Sequence, residues 1–277
     1  LSYQLLRAKE MKAEGKDFKP IFGIEAYYIE SIDDWRTKKA EIAADKKRAK
    51  EIDKSDSAMV IEDEQRNDGR ALSRKRHLVL LAQNQKGLEN IYEMVSKSYS
   101  GDYFYRKPRI DWELLKKHQE GVIVLTACLG GIAAGSMWEK QEEGEDAIVA
   151  HMIDNLQKFK DTFGDRFYAE LQWNNIPEQH LLNRCLIKVA KQLDLKLVST
   201  CDSHYPRPDA WKDREVYKRL GWLGKMPEWM DDNIPSSVDE IGYELYPKNA
   251  QEMWESYRRY SDDLDLFERY HIEDQIK

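Results

Sequence analysis

The sequence predicts an α/β fold: a mainly parallel sheet with covering helices. Three observations carry that expectation. Short β-rich runs alternate with amphipathic segments of helical spacing from about residue 76 to residue 201. Several of the runs, VIVL above all, are continuously apolar, as strands buried on both faces are. The chain has 277 residues, 41% of them hydrophobic, enough for one large domain with a sizeable core, or one domain with a small appendage.

Taken in order, Ser2 to Glu14 carries Leu5, Leu6, Ala8 and Met11 near helical spacing and is stopped by Gly15. Lys19 to Glu30, KPIFGIEAYYIE, reads as a buried strand. Ser31 to Lys75 breaks the pattern, because Lys, Arg, Asp and Glu dominate it. Within it, Asp34 to Lys54 reads as an exposed helix held by charge pairs, and Ile61 to Arg74 as loop. The whole segment, about 31–75, is expected to project from the core as an insertion. Its basic half (Arg36, Lys38, Lys39, Lys46, Lys47, Arg48) reads either as a solvated face or as a DNA contact. Strands follow at Arg76 to Gln83, Gly121 to Ala127, Arg166 to Gln172 and Lys196 to Cys201. Helices are expected at Lys86 to Tyr99, Asp111 to His118, Glu142 to Phe163 and Pro177 to Leu193, the last with proline in its first turn. From Pro208 the pattern is helical and rich in Trp.

Charge narrows the function. The formal net charge is −7, with 34% charged residues. A domain that grips duplex DNA by itself is usually basic, so any nucleic-acid contact here is local. Cys128, Cys185 and Cys201 form no CxxC and no disulfide framework, which points to a reducing cytoplasm. No apolar run approaches the ~20 residues of a membrane span. No basic-then-apolar leader is visible, and an opening Leu1 in place of Met suggests a trimmed or incomplete sequence.

Ligand-capable residues at strand ends are the candidates for chemistry, since β/α barrels place their sites there. Asp202 and His204 follow the strand KLVSTC two residues apart, so in extended chain they face the same side. Carboxylate and imidazole together suit zinc or manganese; the other reading is a turn in which Asp202 caps the next helix. Glu25 sits in GIEAYY, where burial is costly unless it is paired or bound to metal; otherwise it reaches solvent at a strand end. His77 opens HLVLLAQ, an awkward place for a site at the opposite strand ends. Cys128 precedes Leu129-Gly130-Gly131 and is either a thiolate ligand or an inert buried thiol. Glu170, in FYAELQ, reads as a supporting or structural residue. There is no GxGxxG after a strand, no GxxxxGK[ST] and no GxSxG, and a Cys/His nucleophile pair has no local signature.

Five segments together resemble the PHP domain of bacterial and phage DNA polymerase III alpha subunits. They are KPIFGIEAYY, HLVLLAQNQKGLENIYEMVSKSY, YFYRKPRIDWELLKKHQEGVIVLTACLGG, GDRFYAELQ and LKLVSTCDSHY, in the family's order. The resemblance covers about residues 1–260. It implies a distorted (β/α)7-type barrel, incomplete at the N-terminus, with up to three zinc, manganese or iron ions at its strand mouths. The residues matching the family's ligands are Glu25, His77, Cys128, Asp202 and His204. Asp202 and His204 are then the candidate catalytic residues, with Asp202 bridging two ions. The family's H-x-H segment, a further Asp and a D-H segment would precede Leu1. GYELYPKNAQEM, residues 242–253, looks like the stretch leading to a polymerase palm. The implied organisation is a PHP domain over 1–207 and, over 208–277, its helical end with a linker.

The resemblance implies a metal-dependent phosphoesterase that removes nucleotides 3′ to 5′ within a DNA polymerase. Implied partners are DNA through the parent polymerase, a proofreading exonuclease subunit and a sliding clamp, with no membrane. Two other readings stand beside it: a non-catalytic scaffold that docks the proofreading subunit, and a standalone small-molecule phosphatase. The palm-like tail argues against the last.

Overall fold

A computed structural model describes residues 2–16, 18–52, 69, 71–221, 237, 240 and 242–260. The fold is mixed α/β, as the alternation predicts, and the chain divides into two compact units, Leu1–Leu125 and Thr126–Lys277.

The first unit contains α1 (Ser2–Ala13), β1 (Gly23–Ile29), α2 (Ile32–Ile52), β2 (Arg76–Ala82) and α3 (Gln85–Ser98). There follow β3 (Phe104–Tyr105), β4 (Lys107–Pro108), β5 (Ile110–Asp111), α4 (Trp112–Lys117) and β6 (Val122–Leu125). Its strands lie in the order β5-β1-β2-β6. β1 runs parallel to β5 but antiparallel to β2, and β2 runs antiparallel to β6. This corrects the expectation of a mainly parallel sheet here, because an apolar run reads the same in either direction and only the route of the connection sets the sense of pairing. Leu78, Leu80, Val122 and Val124 are fully buried, which fixes the inward face of the ladder.

The charged segment does not simply project. Its helix, expected over Asp34 to Lys54, is α2. Ile32 and Trp35 at its start are buried with Leu72, and the Trp35 indole N–H donates to the Leu72 carbonyl at 2.9 Å. Burying each such side chain stabilises by roughly 1.5–3 kcal/mol. The Arg109 guanidinium, 1% exposed, stacks 4.3 Å from the Trp35 ring and donates to the carbonyls of Asp102 and Leu72. Ile42 packs against the same cluster, while the charged side chains of α2 lie in solvent: Arg36 pairs with Asp33 and Asp102, and Arg48 with Asp45. The loop expected over Ile61 to Arg74 lies mostly outside the described residues; residues 71–73 are helical.

α3 starts at a side-chain cap, Asn84 Oδ1 accepting the Gly87 N–H at 2.9 Å. Gly87 meets the turn before β6 so closely that a Cβ there would lie 1.8 Å from the Gly121 carbonyl oxygen.

The second unit contains α5 (Ile132–Lys140), α6 (Glu145–Phe163), β7 (Phe167–Gln172), α7 (Pro177–Gln192), β8 (Lys196–Thr200), α8 (Trp211–Gly221) and α9 (Ala250–Tyr260). β7 and β8 are parallel, joined by α7. α5 has no counterpart in the sequence reading. Its residues Ile132 to Met137 are all buried, so IAAGSM lacks the polar face that marks a surface helix. Residues 242–246 pack back on this unit: the Asn175 N–H donates to the Gly242 carbonyl, and the His204 N–H to the Leu245 carbonyl at 2.7 Å. Among the described residues no helix is long and apolar enough to cross a membrane.

Candidate metal centre

In the first unit the β1–β2 register places Tyr27 opposite His77 and Glu25 opposite Val79. Side chains alternate along a strand, so Glu25, Tyr27 and His77 share the face opposite the buried Ala26, Leu78 and Leu80. Glu25 Oε1 stands 3.1 Å from His77 Nδ1, and the Tyr27 ring lies 5.4 Å from the imidazole. The awkward position of His77 is resolved: antiparallel pairing carries the first residues of β2 beside β1. The Glu25 side chain is 41% exposed, so it reaches solvent and is paired, and no burial cost arises. A carboxylate accepts, so in the neutral ring the facing Nδ1 carries the proton and Nε2 the lone pair.

In the second unit the chain leaves Thr126 through Ala127 at φ 63° and reaches Cys128, whose sulfur lies 3.4 Å from the Gly130 N–H. A Cβ on Gly131 would fall 2.1 Å from the Thr126 carbonyl oxygen, so only glycine lets this loop close. Past β8, Asp202 is also left-handed, at φ 47°. That bend lets His204 Nδ1 approach the Asp202 carbonyl oxygen at 2.6 Å. A carbonyl only accepts, so Nδ1 is the protonated nitrogen and Nε2 keeps its lone pair, available to a metal ion. A hydrogen bond that fixes the tautomer in this way is the usual support of a metal-ligating histidine.

Glu170 supports both loops of this unit. It is 4% exposed. Its Oε2 accepts the Ala127 N–H at 3.1 Å, while Oε1 accepts from the Thr200 hydroxyl at 2.5 Å and the Gln172 amide at 3.2 Å. The Glu170 N–H in turn donates to the Thr126 hydroxyl at 2.9 Å. Burial pushes the Glu170 carboxyl above the ordinary glutamate range, and the charge of Asp202 adds to the rise. The bonds from Thr200, Gln172 and Ala127 oppose it and do not outweigh it. The sequence reading missed Thr126, Thr200, Gln172 and Tyr243. Burial raises the Tyr243 phenol, and the charges of Glu178, Cys128 and Asp202 act on it. Nothing in periodicity marks Tyr243, because the folding back of residues 242–246 brings it there.

The donors fit a divalent ion in kind: carboxylates, tautomer-fixed imidazoles and a donor-supported thiol are ligands for zinc, manganese or iron. In number they come as pairs, Glu25 with His77 and Asp202 with His204. Among the described residues no three His, Cys, Asp or Glu side chains are grouped closely enough to hold an ion by themselves. His118, His151 and His180 lie outside these groupings, on or beside helices.

The chain belongs to the PHP domain family, whose model matches residues 4–174. It is similar to the DNA polymerase III subunit alpha of Aquifex aeolicus, 39% identical over 247 residues, covering 87% of this chain and 18% of that protein. The same subunit of Thermus aquaticus is 32% identical over 205 residues, covering 74% of this chain and 14% of that protein. That of Borreliella burgdorferi is 29% identical over 250 residues, covering 90% and 18%. The chain therefore spans less than a fifth of the length of these relatives. The match to 4–174 takes in Glu25, His77, Cys128 and Glu170, while Asp202 and His204 lie beyond it.

Proposed function

We propose that this chain is the PHP part of a cytoplasmic DNA polymerase III alpha subunit and that it is a metal-dependent phosphoesterase acting 3′ to 5′ on DNA. The ligands are Glu25 and His77 in the first unit, and Cys128, Asp202 and His204 in the second. The observation that carries this reading is the His204–Asp202 contact, which fixes the imidazole tautomer and reserves Nε2 for a ligand. Divalent metal, when bound, supplies Lewis acidity at the phosphoryl group and an activated water near neutral pH. The protein's own residues do the rest: Glu170 holds the backbone before Cys128 and the end of β8, and Asp202 contributes two carboxylate oxygens, enough to bridge. The implied partners are DNA, a proofreading exonuclease subunit and a sliding clamp, all met through the parent polymerase.

The test is elemental analysis of the purified protein together with release of nucleotides from a 3′-labelled single strand. Zinc, manganese or iron at one equivalent or more, lost with hydrolysis in Asp202→Ala and His77→Ala, is the expected result. Metal-free protein, or unchanged hydrolysis in Asp202→Ala, overturns the reading.

One observation favours a second reading, a non-catalytic scaffold for the proofreading subunit: Glu25 and His77 already satisfy each other at 3.1 Å, as a structural pair does. Retention of fold and of partner binding after chelation, with no hydrolysis beforehand, supports it.

A further inference from the structure

Lys75 lies two residues before His77, so its side chain leaves the same face of the β1–β2 ladder. Its ammonium stands 4.7 Å from the centroid of the Tyr27 ring, the ring whose other neighbour is His77 at 5.4 Å. One face of the first unit thus carries, in order, a carboxylate, an imidazole, a phenol and an ammonium. Two residues of strand separate the ammonium from the imidazole by ~6.6 Å along the chain.

The charges around Lys75 are unusual for this protein. The charges that act on its ammonium are Lys107 and Arg109, both cationic. Arg109 is spent on backbone carbonyls and is fully buried. Lys107 and Arg106 are exposed on the β3–β4 hairpin, with Arg106 at its tip in the left-handed conformation, φ 60°. Several other cations are matched: Arg36 and Lys39 to Asp102, Lys116 to Glu113, Lys188 and Arg184 to Glu145. Among the described residues Lys75, Arg106 and Lys107 make no ion pair. The whole chain carries 51 acidic against 44 basic residues, so crowding of like cations beside an aromatic ring is not a by-product of composition. A polyanion bound here would neutralise Lys75 and Lys107, which act on each other, and Arg106 is the residue before Lys107 on the hairpin.

We propose that Lys75, with Lys107 and Arg106, binds the backbone of a single strand of DNA and seats the phosphate next to the one addressed by Glu25 and His77. The position of that neighbouring phosphate rests on the phosphoesterase reading; the binding itself does not. Lys75 is held over Tyr27, which orients the ammonium and leaves the ring edge for an unstacked base.

The experiment is fluorescence anisotropy of the whole chain with a fluorescein-labelled oligothymidylate about twelve nucleotides long. It is run in EDTA over a salt series, so that binding is read without hydrolysis. Lys75→Met keeps the apolar stem on Tyr27 and removes the charge. It is expected to weaken binding about fivefold and to reduce the log–log salt slope by about 0.7, the single-strand value per phosphate contact. Lys75→Arg restores both, the triple variant K75M/R106A/K107A loses about two units of slope, and Lys38→Ala on α2 changes neither. An unchanged slope in the triple variant overturns the proposal, as does equal loss from Lys38→Ala. Equally tight binding of duplex DNA overturns the single-strand assignment. If hydrolysis proves absent while these slopes behave as stated, the phosphoesterase reading fails and the DNA-binding face stands. If hydrolysis is present and the slopes do not move, the reverse holds.

Discussion

Glu170→Ala isolates what the buried carboxylate does. The substitution strands the Ala127 N–H, 3.1 Å from Oε2, on a residue that is 3% exposed. Leaving a buried donor unmet costs about 1–3 kcal/mol. The other two donors fare better: the Gln172 amide and Thr200 hydroxyl lie 3.4 Å apart and can bond to each other, so their loss adds little. Removing packed side-chain atoms adds about 1 kcal/mol. The total is about 3 kcal/mol, or ~6–12 °C in melting temperature for a chain of this size. Differential scanning calorimetry reads the first quantity, and amide hydrogen exchange at Ala127 reads the mechanism, since that one amide should lose protection out of proportion to its neighbours. A melting temperature lowered by less than ~2 °C, with Ala127 exchange unchanged, would refute the view that Glu170 supports this loop.

Glu170 also gives a pH signature. Burial raises its folded-state pKa, so its contribution is full below the unfolded value and is lost as pH rises through the folded one. The stability advantage of the wild type over Glu170→Gln should therefore shrink as pH is raised above the ordinary glutamate range, in urea titrations at several pH values; a growing advantage contradicts it. Glu145 behaves oppositely. Burial raises its carboxyl, but the bonds from Lys188 and Arg184 outweigh burial and hold it low. Its contribution is present above the unfolded pKa and lost as pH falls through the folded one, and Glu145→Gln should cost no more than ~1 kcal/mol at neutral pH, with the difference vanishing in acid. Arg109→Ala removes the stacking on Trp35 and the packed stem and takes the donor from the Asp102 carbonyl, while the Leu72 carbonyl keeps the Trp35 indole N–H. About 3 kcal/mol in urea unfolding is expected, and a loss under 1 kcal/mol would show that the guanidinium is dispensable.

Much of this was readable in the sequence, for definable reasons. The helices with one wet face, α3, α6 and α7, fall where their periodicity places them, because burial on one side only writes a 3.6-residue pattern. α5 was invisible, since its residues Ile132 to Met137 are covered on every side and write no pattern. Strand positions were legible and strand direction was not, which is why His77 looked misplaced until β2 proved antiparallel to β1. Of the candidate ligands, D-x-H announces itself by spacing, and the structure adds the bend at Asp202 and the tautomer of His204. Glu25 and His77 are 52 positions apart, and only the ladder register brings them to 3.1 Å. The supporting residues Thr126, Thr200 and Gln172 are ordinary strand residues, and their role exists only in the hydrogen bonds they share with Glu170.

The meeting of Gly87 with the Gly121 carbonyl has a bearing on how this fold can vary. A side chain at 87 would need room of more than an ångström, and only the main chain of the turn could supply it. Such a change has no remedy by substitution across the contact, because the residue facing it is already the smallest available. The first turn of α3 and the entry to β6 are therefore locked to a single spacing, and drift at this point has to be met by rerouting of the turn itself.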